Sequence, residues 1–455
     1  MNIVKTSDES LIQLENKKRW GLFLILLFVG ILSSCDGGII PQATEEMTKD
    51  FKLEKQKKKF GLYGSIDYLG RVFGALFFTF TINNISRKIL LISTLIFKAL
   101  TLYYSLIDHK KFYPNLIVRC LSGISQVFYT TYLPVWTDQF IPKEKRAIFI
   151  SVTQLGNPLG IILGFGISTL INPNKWYISY SIEATFLIIL AFLSLFFPRL
   201  YYTKKLILND DGLSAKLIYS NNEEKPSLCN NLGKILCNVI FTFTTISCSI
   251  AFFGMAVIQY RGAEYMTNVL NLSNPNSVLF SFSILCLTGP TLGVFIGGIL
   301  CSKLGGYTNK KSIIMCFIFC LISSIFSLFI GYADKGFFFI YCWIYFFFIG
   351  AIIPAASGII IVSLPENLRG DGFSITNILL NLLGNFPVSF AYSFLLDIFN
   401  KKIKDDNGHR PAMKTIMYYN LVGLFCIFIS MIYKLMQNNK KEDDESINVI
   451  ETNYS

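Results

Sequence analysis

The chain has 455 residues, of which 52% are hydrophobic and 15% are charged, whereas an ordinary soluble domain has about 25% charged residues. This composition excludes a typical soluble globular protein. The net charge of +12 does not indicate nucleic-acid binding, because the basic residues lie between apolar runs and form no solvated basic face. Since a bilayer core about 30 Å thick requires roughly 20 apolar residues per helix, the apolar runs predict an all-α polytopic membrane protein.

The apolar runs predict twelve transmembrane helices arranged as two six-helix halves. The first half, residues 20–198, and the second half, residues 235–436, are separated by the longest internal polar stretch, residues 199–234, which is predicted to be a cytoplasmic linker. The predicted spans are 20–41, 60–82, 89–107, 113–137, 147–171, 176–198, 235–260, 278–302, 312–332, 336–363, 372–399 and 412–436.

Basic residues predict the orientation. If the twelve helices alternate in direction, the basic residues of the first tail and of several loops after even-numbered helices lie on the same side of the membrane. Loops rich in Lys and Arg are typical of the cytoplasmic side. Residues 1–19 and 437–455 are therefore predicted to be cytoplasmic tails. The first span is too long for a signal peptide and is expected to stay as an anchor. Cytoplasmic gate loops are predicted around Arg87, Lys88, Arg146, Lys303, Lys310, Lys311 and Arg369.

An internal repeat relates the two halves. Pro142-x-x-x-Arg146 recurs as Pro365-x-x-x-Arg369, at an offset of 223 positions (369 − 146). At the same offset Leu69-Gly70-x-x-x-Gly74 recurs as Leu292-Gly293-x-x-x-Gly297, and Ser151-x-Thr153-Gln154 as Ser374-x-Thr376-Asn377. Glycine pairs alone are explained by close helix packing. Together these matches favour duplication of a six-helix unit, as in a transporter with a midplane site between its halves.

These motifs resemble those of the major facilitator superfamily. The signature after its second helix, G-x-x-x-D-R-x-x-R-R/K, corresponds to residues 79–88, where Arg87 and Lys88 are kept and Asn83 and Asn84 replace the usual Asp and Arg. Arg119-x-x-x-Gly123 is similar to the R-x-x-x-G pattern of the fourth helix. The resemblance implies two rocking halves and a central site that opens to each side in turn.

Within that superfamily the first half of the chain resembles the spinster-like lipid transporters. Asp36, Ile40-Pro41 and Asp50-Phe51 are similar to their D-x-x-x-x-x-x-x-P-x-x-x-x-D-F opening with shortened spacing. Pro134, Asp138 and Arg146 follow in the expected order. Gln126 stands where that family usually carries a glutamate near Arg119. The resemblance implies a lysophospholipid or sphingoid-like substrate moved together with a proton.

Six charged residues lie well inside the predicted spans, and all belong to the first half: Asp36, Asp67, Arg71, Lys98, Arg119 and Glu183. A charge near the bilayer centre costs about 3 kcal/mol on insertion scales, so each requires a reason. A rise of about 1.5 Å per residue places Asp36, Asp67, Arg119 and Glu183 in one layer, with Lys98 near the midplane. The chemistry is therefore expected to be asymmetric between the halves.

Two interpretations of these charges remain open. In the first interpretation they form structural ion pairs: Asp67 with Arg71 at helical spacing, Asp36 with Arg119, and Glu183 with Lys98. Alternatively, Asp36 is a protonation switch and Arg119 is its partner and the substrate anchor, because protonation removes the pairing that holds one conformation. The candidate proton-coupling and substrate residues are these six and Gln126.

Neutral polar residues supply a second candidate set. Asn377, Asn381 and Asn385 recur at four-residue spacing and predict a polar stripe along one face of the eleventh helix. Such amides act as interhelical hydrogen-bonding groups or line a cavity for an amphipathic solute. The predicted polar cavity residues are Gln154, Asn157, Asn377 and Asn381.

The sequence argues against an enzyme. It contains no G-x-x-x-x-G-K-[ST] nucleotide motif and no H-E-x-x-H pair, and His109 and His409 are predicted to lie in external loops. No metal or other cofactor is expected. A channel is disfavoured because no selectivity-filter signature is present, whereas a duplicated half suits alternating access.

The sequence therefore predicts a monomeric secondary transporter, coupled to protons, in contact with membrane lipids and independent of nucleic acid. Its location is the plasma membrane or an acidic organelle membrane. The alternatives are a transporter of a sugar or other small polar solute, and a membrane sensor that binds without transporting.

Overall fold

The computed structural model describes residues 18–53, 57–81, 85–142, 145–171, 175–202, 228–272, 275–402 and 408–453. These residues form helices joined by short turns, with no strand among them. The helices of the first half are α1 (18–32), α2 (Asp36–Asp50), α3 (Lys57–Thr81), α4 (Arg87–Ile107), α5 (Phe112–Phe140), α6 (Arg146–Gln154), α7 (Gly156–Leu170) and α8 (Trp176–Leu195).

The second half repeats this arrangement. Its helices are α9 (Leu228–Leu236), α10 (Val239–Asn268), α11 (Pro275–Lys303), α12 (Lys310–Ile330), α13 (Lys335–Val362), α14 (Arg369–Leu379), α15 (Val388–Lys402), α16 (His409–Tyr418) and α17 (Asn420–Asn453). A π-helical turn, Leu380–Asn385, joins α14 to α15. Every predicted span therefore corresponds to one helix or to a pair of consecutive helices, and the all-α fold of twelve membrane helices is confirmed.

Eight helices among the described residues are long and apolar enough by themselves to cross a membrane. The other four spans are α3, α5, α11 and the α14–α15 pair. Of these four, α3 carries Asp67 and Arg71, and α5 carries Arg119. The other three charged candidates, Asp36, Lys98 and Glu183, lie in spans that are apolar enough by themselves to cross a membrane.

Several spans are interrupted, which the sequence did not predict. A turn at residues 33–35 separates α1 from α2, and α6 passes into α7 at Leu155. The π-turn interrupts the eleventh span, and α16 passes into α17 at Tyr419. The π-turn also corrects the predicted asparagine stripe: a wider turn rotates Asn385 away from the face that an α-helical spacing of four would give it.

Several boundaries differ from the predicted ones. The first span continues to Asp50, whose side chain accepts a 2.8 Å hydrogen bond from Trp176 Nε1, and Phe51 packs against the Trp176 ring. Helix α10 continues to Asn268, beyond the predicted end at residue 260. Helix α9 occupies the end of the predicted linker, and α17 continues through most of the predicted tail 437–455. Residues 1–17, 83–84 and 203–227, which include Asn83 and Asn84, lie outside the described residues.

Glycine pairs allow close helix packing in both halves, as the packing interpretation requires. A Cβ on Gly70 would lie 2.0 Å from the Cys120 carbonyl oxygen, and one on Gly293 would lie 2.0 Å from that of Phe347. The repeated glycines therefore bring α3 against α5 and α11 against α13. We refer to the side on which α1 begins as the inner side, which the basic loops predict to be cytoplasmic, and to the opposite side as the outer side.

Candidate substrate and proton site

The six charged residues predicted from the sequence form one buried cluster in the first half. They come from α2, α3, α4, α5 and α8, and five of them are at most 6% exposed. Arg71 is the exception, with 19% of its side chain exposed. Three carboxylates face three cations, so the ionised cluster is neutral overall. We call these residues the charge cluster: Asp36, Asp67, Arg71, Lys98, Arg119 and Glu183.

Asp36 lies in the first turn of α2, directly after the break in the first span. Its Oδ2 atom is 3.2 Å from Arg119 NH1 and 3.6 Å from Lys98 Nζ. The predicted pairing of Asp36 with Arg119 is present in the structure, and Lys98 is a second cation on the same oxygen. The break places the carboxylate between α4 and α5.

Lys98 is the centre of the cluster. Its ammonium donates to the main-chain carbonyl of Ser33 in the turn between α1 and α2. It also lies 3.5 Å from Gln126 Oε1 and 3.5 Å from Glu183 Oε1. The predicted Glu183 to Lys98 pair is therefore present. Neither carboxylate oxygen of Glu183 has a hydrogen-bond partner among the described residues.

Asp67 and Arg71 form the ion pair that their spacing predicts. Arg71 NH2 is 2.7 Å from Asp67 Oδ2, and Nε donates to the same oxygen at 2.8 Å. Arg71 NH2 also donates to Gln126 Oε1 at 3.0 Å, and Gln126 Nε2 donates to the Tyr129 hydroxyl at 2.9 Å. Gln126 thus connects this pair to Lys98 by contacts with its amide.

Neutral contacts join this region to the second half. Asn377 Nδ2 donates to Thr131 Oγ1 at 2.9 Å, and the Tyr260 hydroxyl lies 3.2 Å from that of Tyr68. Asn381 is buried and donates to the Asn377 carbonyl at 2.7 Å. Asn377 therefore bridges the halves, whereas Asn381 bonds within its own helix.

Gln154, the repeat counterpart of Asn377, also reaches across the halves: its Nε2 lies 3.5 Å from Ser357 Oγ. The repeat thus places an amide at each of two inter-half contacts. Asn157, the remaining predicted cavity residue, is exposed on α7.

A second charged group connects the halves at the inner side. Asp138 of α5 accepts from Arg146 NH1 at 3.1 Å within the first half. From the second half it accepts from Arg369 NH1 at 2.8 Å and from the Tyr307 hydroxyl at 2.8 Å. We call these four residues the inner latch. It holds the two halves together on the inner side in this structure.

The latch follows from the internal repeat. Arg146 and Arg369 occupy equivalent positions, and both bind the same carboxylate. The position equivalent to Asp138 in the second half, 361, is an isoleucine. Burial, and then the nearby Asp138 carboxylate, raise the pKa of the Tyr307 hydroxyl above its ordinary value of 10.0. Tyr307 therefore remains a hydrogen-bond donor at neutral pH.

Two other predicted gate residues make their described contacts within the first half. Arg87 donates to Gln139 Oε1 at 3.1 Å, and Lys88 donates to the Leu195 and Phe197 carbonyls at 2.7 Å, all within the first half. Lys303 and Lys311 are exposed and Lys310 is half-buried. Of the seven predicted gate residues, Arg146 and Arg369 belong to the latch.

Sequence reasoning missed several residues of these two sites. It named Asp138 only within the spinster-like resemblance and did not name Tyr307 or Tyr260. The paired arginines at the repeat offset were the available signal for Asp138, because two equivalent cations require an anion. The prediction that His409 lies in a loop is wrong: it begins α16, is 7% exposed, and has Nδ1 3.0 Å from the Tyr392 hydroxyl.

The second half also carries charges that the predicted spans excluded. Arg261 and Glu264, which pair at 2.9 Å, lie in the part of α10 beyond the predicted end. Arg261 NH2 also donates to Ser393 Oγ at 2.9 Å.

Among the described residues no group of three or more metal-ligating side chains is arranged to hold an ion.

Comparison with known proteins identifies the family. The sequence pattern of the Major Facilitator Superfamily matches residues 22–389. The chain belongs to the Major Facilitator Superfamily. Members of this superfamily are membrane transporters, so the chain is assigned to the membrane-transporter class as an integral, multi-pass membrane protein.

Two proteins that are similar to this chain in sequence are described as the sphingosine-1-phosphate transporter SPNS2. The chain is 24% identical to the protein of Danio rerio over 313 residues, 66% of this chain and 60% of the relative. It is 24% identical to that of Xenopus tropicalis over 291 residues, 61% of this chain and 54% of the relative. The match therefore spans less than two thirds of each relative. It confirms the spinster-like resemblance.

Solved structures of this superfamily show the same fold. The proton:xylose symporter XylE superposes with a TM-score of 0.67 at 13% identity, covering 91% of this chain and 95% of that one. A bacterial homologue of the human lysosomal transporter Spinster, in an inward-facing and unoccupied conformation, superposes with a TM-score of 0.61 at 14% identity, covering 92% and 98%. These similarities support the two-half architecture.

Proposed function

We propose that this protein is a proton-coupled secondary transporter that moves a lysophospholipid or sphingoid-like amphipathic solute by alternating access. The observation that carries the proposal is the buried, neutral charge cluster of the first half. Its cations Arg71 and Arg119 suit an anionic head group when their carboxylate partners release them. A cluster of this kind inside a membrane requires a function, because neutral apolar packing costs less than six buried charges.

The cluster supports coupling between a proton and a substrate. Asp36 pairs with both Arg119 and Lys98, so neutralising one carboxylate of the cluster redistributes the remaining ion pairs. A guanidinium released in this way binds phosphate in a bidentate geometry. Proton uptake and head-group binding then favour each other, which is the requirement for symport.

The inner latch supports alternating access. In this structure Arg369 and Tyr307 of the second half hold Asp138 of the first half. Opening the central site to the inner side requires these contacts to break. The two halves then rock about the neutral contacts between Asn377 and Thr131. We further propose that the protein acts as a monomer in the plasma membrane or in an acidic organelle membrane.

The amphipathic substrate is supported by two observations. Two relatives are described as transporters of sphingosine 1-phosphate, a single-chain lipid with a phosphate. In addition, the chain has 42 Phe and 23 Tyr residues, which suit an aliphatic tail, while the cations of the charge cluster suit the head group.

Uptake by purified protein in liposomes tests this function. Labelled lysophosphatidylglycerol and, in parallel, glucose are offered with and without an inward proton gradient. We expect gradient-stimulated lysolipid uptake that is lost in Asp36→Asn and Arg119→Ala. The control is Glu264→Gln, which removes a carboxylate whose partner Arg261 lies outside the cluster.

The same assay separates the alternatives. Glucose uptake without lysolipid uptake would keep the fold and contradict the lipid assignment. Binding of lysolipid without accumulation would indicate a sensor. Lysolipid uptake that does not respond to a proton gradient would contradict proton coupling.

A further inference from the structure

Glu183 is the carboxylate of the cluster with the weakest support. It is 0% exposed, its two oxygens have no hydrogen-bond partner among the described residues, and its ion pair with Lys98 is 3.5 Å long. Charged hydrogen bonds in proteins are typically about 2.7–2.9 Å long. An ionised carboxylate in this position is therefore poorly stabilised, and a neutral carboxylic acid costs much less free energy there.

The surroundings of Glu183 contain few other titratable groups. Helix α8 packs against α2, α4 and α7, and the sequence of α7 contains no titratable side chain. Helix α4 contributes Lys98, and α2 contributes Asp36, with Cys35 immediately before it. Arg119 of α5 and Tyr180 of α8 are the remaining titratable groups acting on Glu183. Lys98 is the cation in direct contact.

Asp36 is held much more firmly than Glu183. Its Oδ2 atom contacts Arg119 at 3.2 Å and Lys98 at 3.6 Å. A proton on Asp36 would deprive two cations of their partner. A proton on Glu183 affects Lys98 alone, and Lys98 still has Asp36, the Ser33 carbonyl and Gln126 Oε1 as neighbours.

We propose that Glu183 carries the coupled proton and that Lys98 exchanges Glu183 for Asp36 when the proton arrives. The proton adds to a carboxylate oxygen of Glu183 and forms a carboxylic acid, while Lys98 stays an ammonium ion. Lys98 then pairs more closely with Asp36 and weakens the hold of Asp36 on Arg119. This proposal rests on the proposed proton-coupled transport and moves the proton from Asp36, which the sequence singled out, to Glu183.

The exchange links the proton to the substrate. The Nε atom of Arg119 is buried and has no hydrogen-bond partner among the described residues, so a guanidinium partly released by Asp36 has donors available for an anion. Gln126 stands where spinster-like proteins usually have a glutamate, and it contacts Lys98 from α5. In this chain the carboxylate that titrates beside Lys98 is placed on α8 instead.

Infrared spectroscopy of the purified protein tests the assignment without any substrate. The carboxylic acid C=O band of a buried group is followed while pH is varied. We expect one titrating buried band in the wild type, its loss in Glu183→Gln, and a shifted but present band in Glu183→Asp. In Asp36→Asn the band should persist and titrate at lower pH, because Lys98 has lost its alternative partner and holds the Glu183 carboxylate more tightly. Glu264→Gln, a carboxylate outside the cluster, is the matched control and should leave the band unchanged.

Three results would overturn the proposal: no buried band that titrates in the wild type, a band unchanged in Glu183→Gln, or a band lost in Asp36→Asn. Transport gives the second readout. Glu183→Gln should lower gradient-driven lysolipid accumulation at least about tenfold relative to Glu264→Gln, because the carboxylate that carries the coupled proton is absent. Wild-type protein without any uptake would contradict the proposed function, while the infrared result would still decide the proton site.

Discussion

Asp138 is the residue through which the inner latch joins the two halves. It accepts from Arg146, Arg369 and Tyr307, and the two arginines have about one fifth of their side chains exposed. Removing one partner of a buried charge pair costs about 2–5 kcal/mol, and the partial exposure lowers this to about 1–2 kcal/mol. We therefore expect Asp138→Asn to shift the population toward the inner-open state by roughly 5- to 30-fold.

Labelling of a cysteine at position 357 measures this shift. Ser357 is half-buried beside Gln154 between the halves, so an impermeant maleimide should react with it faster when the inner side opens. The background variant lacks reactive native cysteines. Glu366→Gln is the control, since Glu366 is 90% exposed and lies 3.8 Å from Arg369. Equal labelling rates in Asp138→Asn and the background would show that the latch does not hold the inner side closed.

Tyr307 gives the latch a defined pH dependence. Burial raises the pKa of its hydroxyl above the ordinary value of 10.0, so its stabilising contribution is complete below that ordinary value and is lost only as pH rises through the higher folded value. We expect the labelling rate at position 357, corrected for thiol ionisation, to stay constant between about pH 6 and 9. A rise within this range that is absent in Tyr307→Phe would contradict this assignment.

Ion pairs of the charge cluster could be predicted from the sequence where helical spacing or depth in the membrane leaves few possible partners. The four-residue spacing of Asp67 and Arg71 gave their ion pair, and estimated depth gave the pairing of Asp36 with Arg119. It did not give Lys98 as a shared cation, because that contact depends on the turn at residues 33–35. The inner latch was not predicted because Tyr307 and Arg369 lie far from Asp138 in sequence.

At the level of helices, Gly160 and Gly164 of α7 determine how the fifth span packs on the first. A Cβ on Gly164 would lie 1.9 Å from the Cys35 carbonyl oxygen, whereas one on Gly166 would have nothing within 4 Å. Because inserting a methyl group into packed backbone costs about 1–3 kcal/mol, we expect Gly164→Ala to lower the melting temperature by several degrees. Gly166→Ala on the same helix should leave it unchanged.

Gly164→Ala should also perturb the charge cluster, because the contacted Cys35 precedes Asp36 directly. Thermal unfolding in detergent, followed by circular dichroism, provides the measurement. Melting temperatures that agree for the two alanine variants would show that the close approach of these helices is not needed for stability.

Helix positions were predictable because a membrane span needs a long apolar run, and that signal is local. The interruptions were not predictable for a related reason. The break before Asp36 and the π-turn Leu380–Asn385 depend on partners from other helices that satisfy or crowd the backbone. The sequence therefore gives which segments cross the membrane but not where they bend, and the bends place Asp36 and the asparagines.

For the whole molecule, the balance of charge in the cluster predicts how transport responds to membrane voltage. Three carboxylates and three cations give a neutral empty site, and we propose that one proton accompanies each substrate. Lysophosphatidylglycerol, with one negative charge, should then cross electroneutrally, whereas zwitterionic lysophosphatidylcholine should carry one net positive charge. Moving one charge through 100 mV is worth about 2.3 kcal/mol.

Uptake of these two lipids into liposomes under a potassium diffusion potential, at constant proton gradient, measures the difference. An inside-negative potential of about 100 mV should raise accumulation of lysophosphatidylcholine by up to about 50-fold at equilibrium and leave that of lysophosphatidylglycerol unchanged. The control is Glu183→Gln, in which the proposed proton site is absent, so that potential should no longer favour accumulation of the zwitterion. A neutral site that takes up one proton and one anion together has no net charge for the potential to move. Strong voltage dependence of lysophosphatidylglycerol uptake would therefore show that the cluster does not balance one proton against one head-group charge.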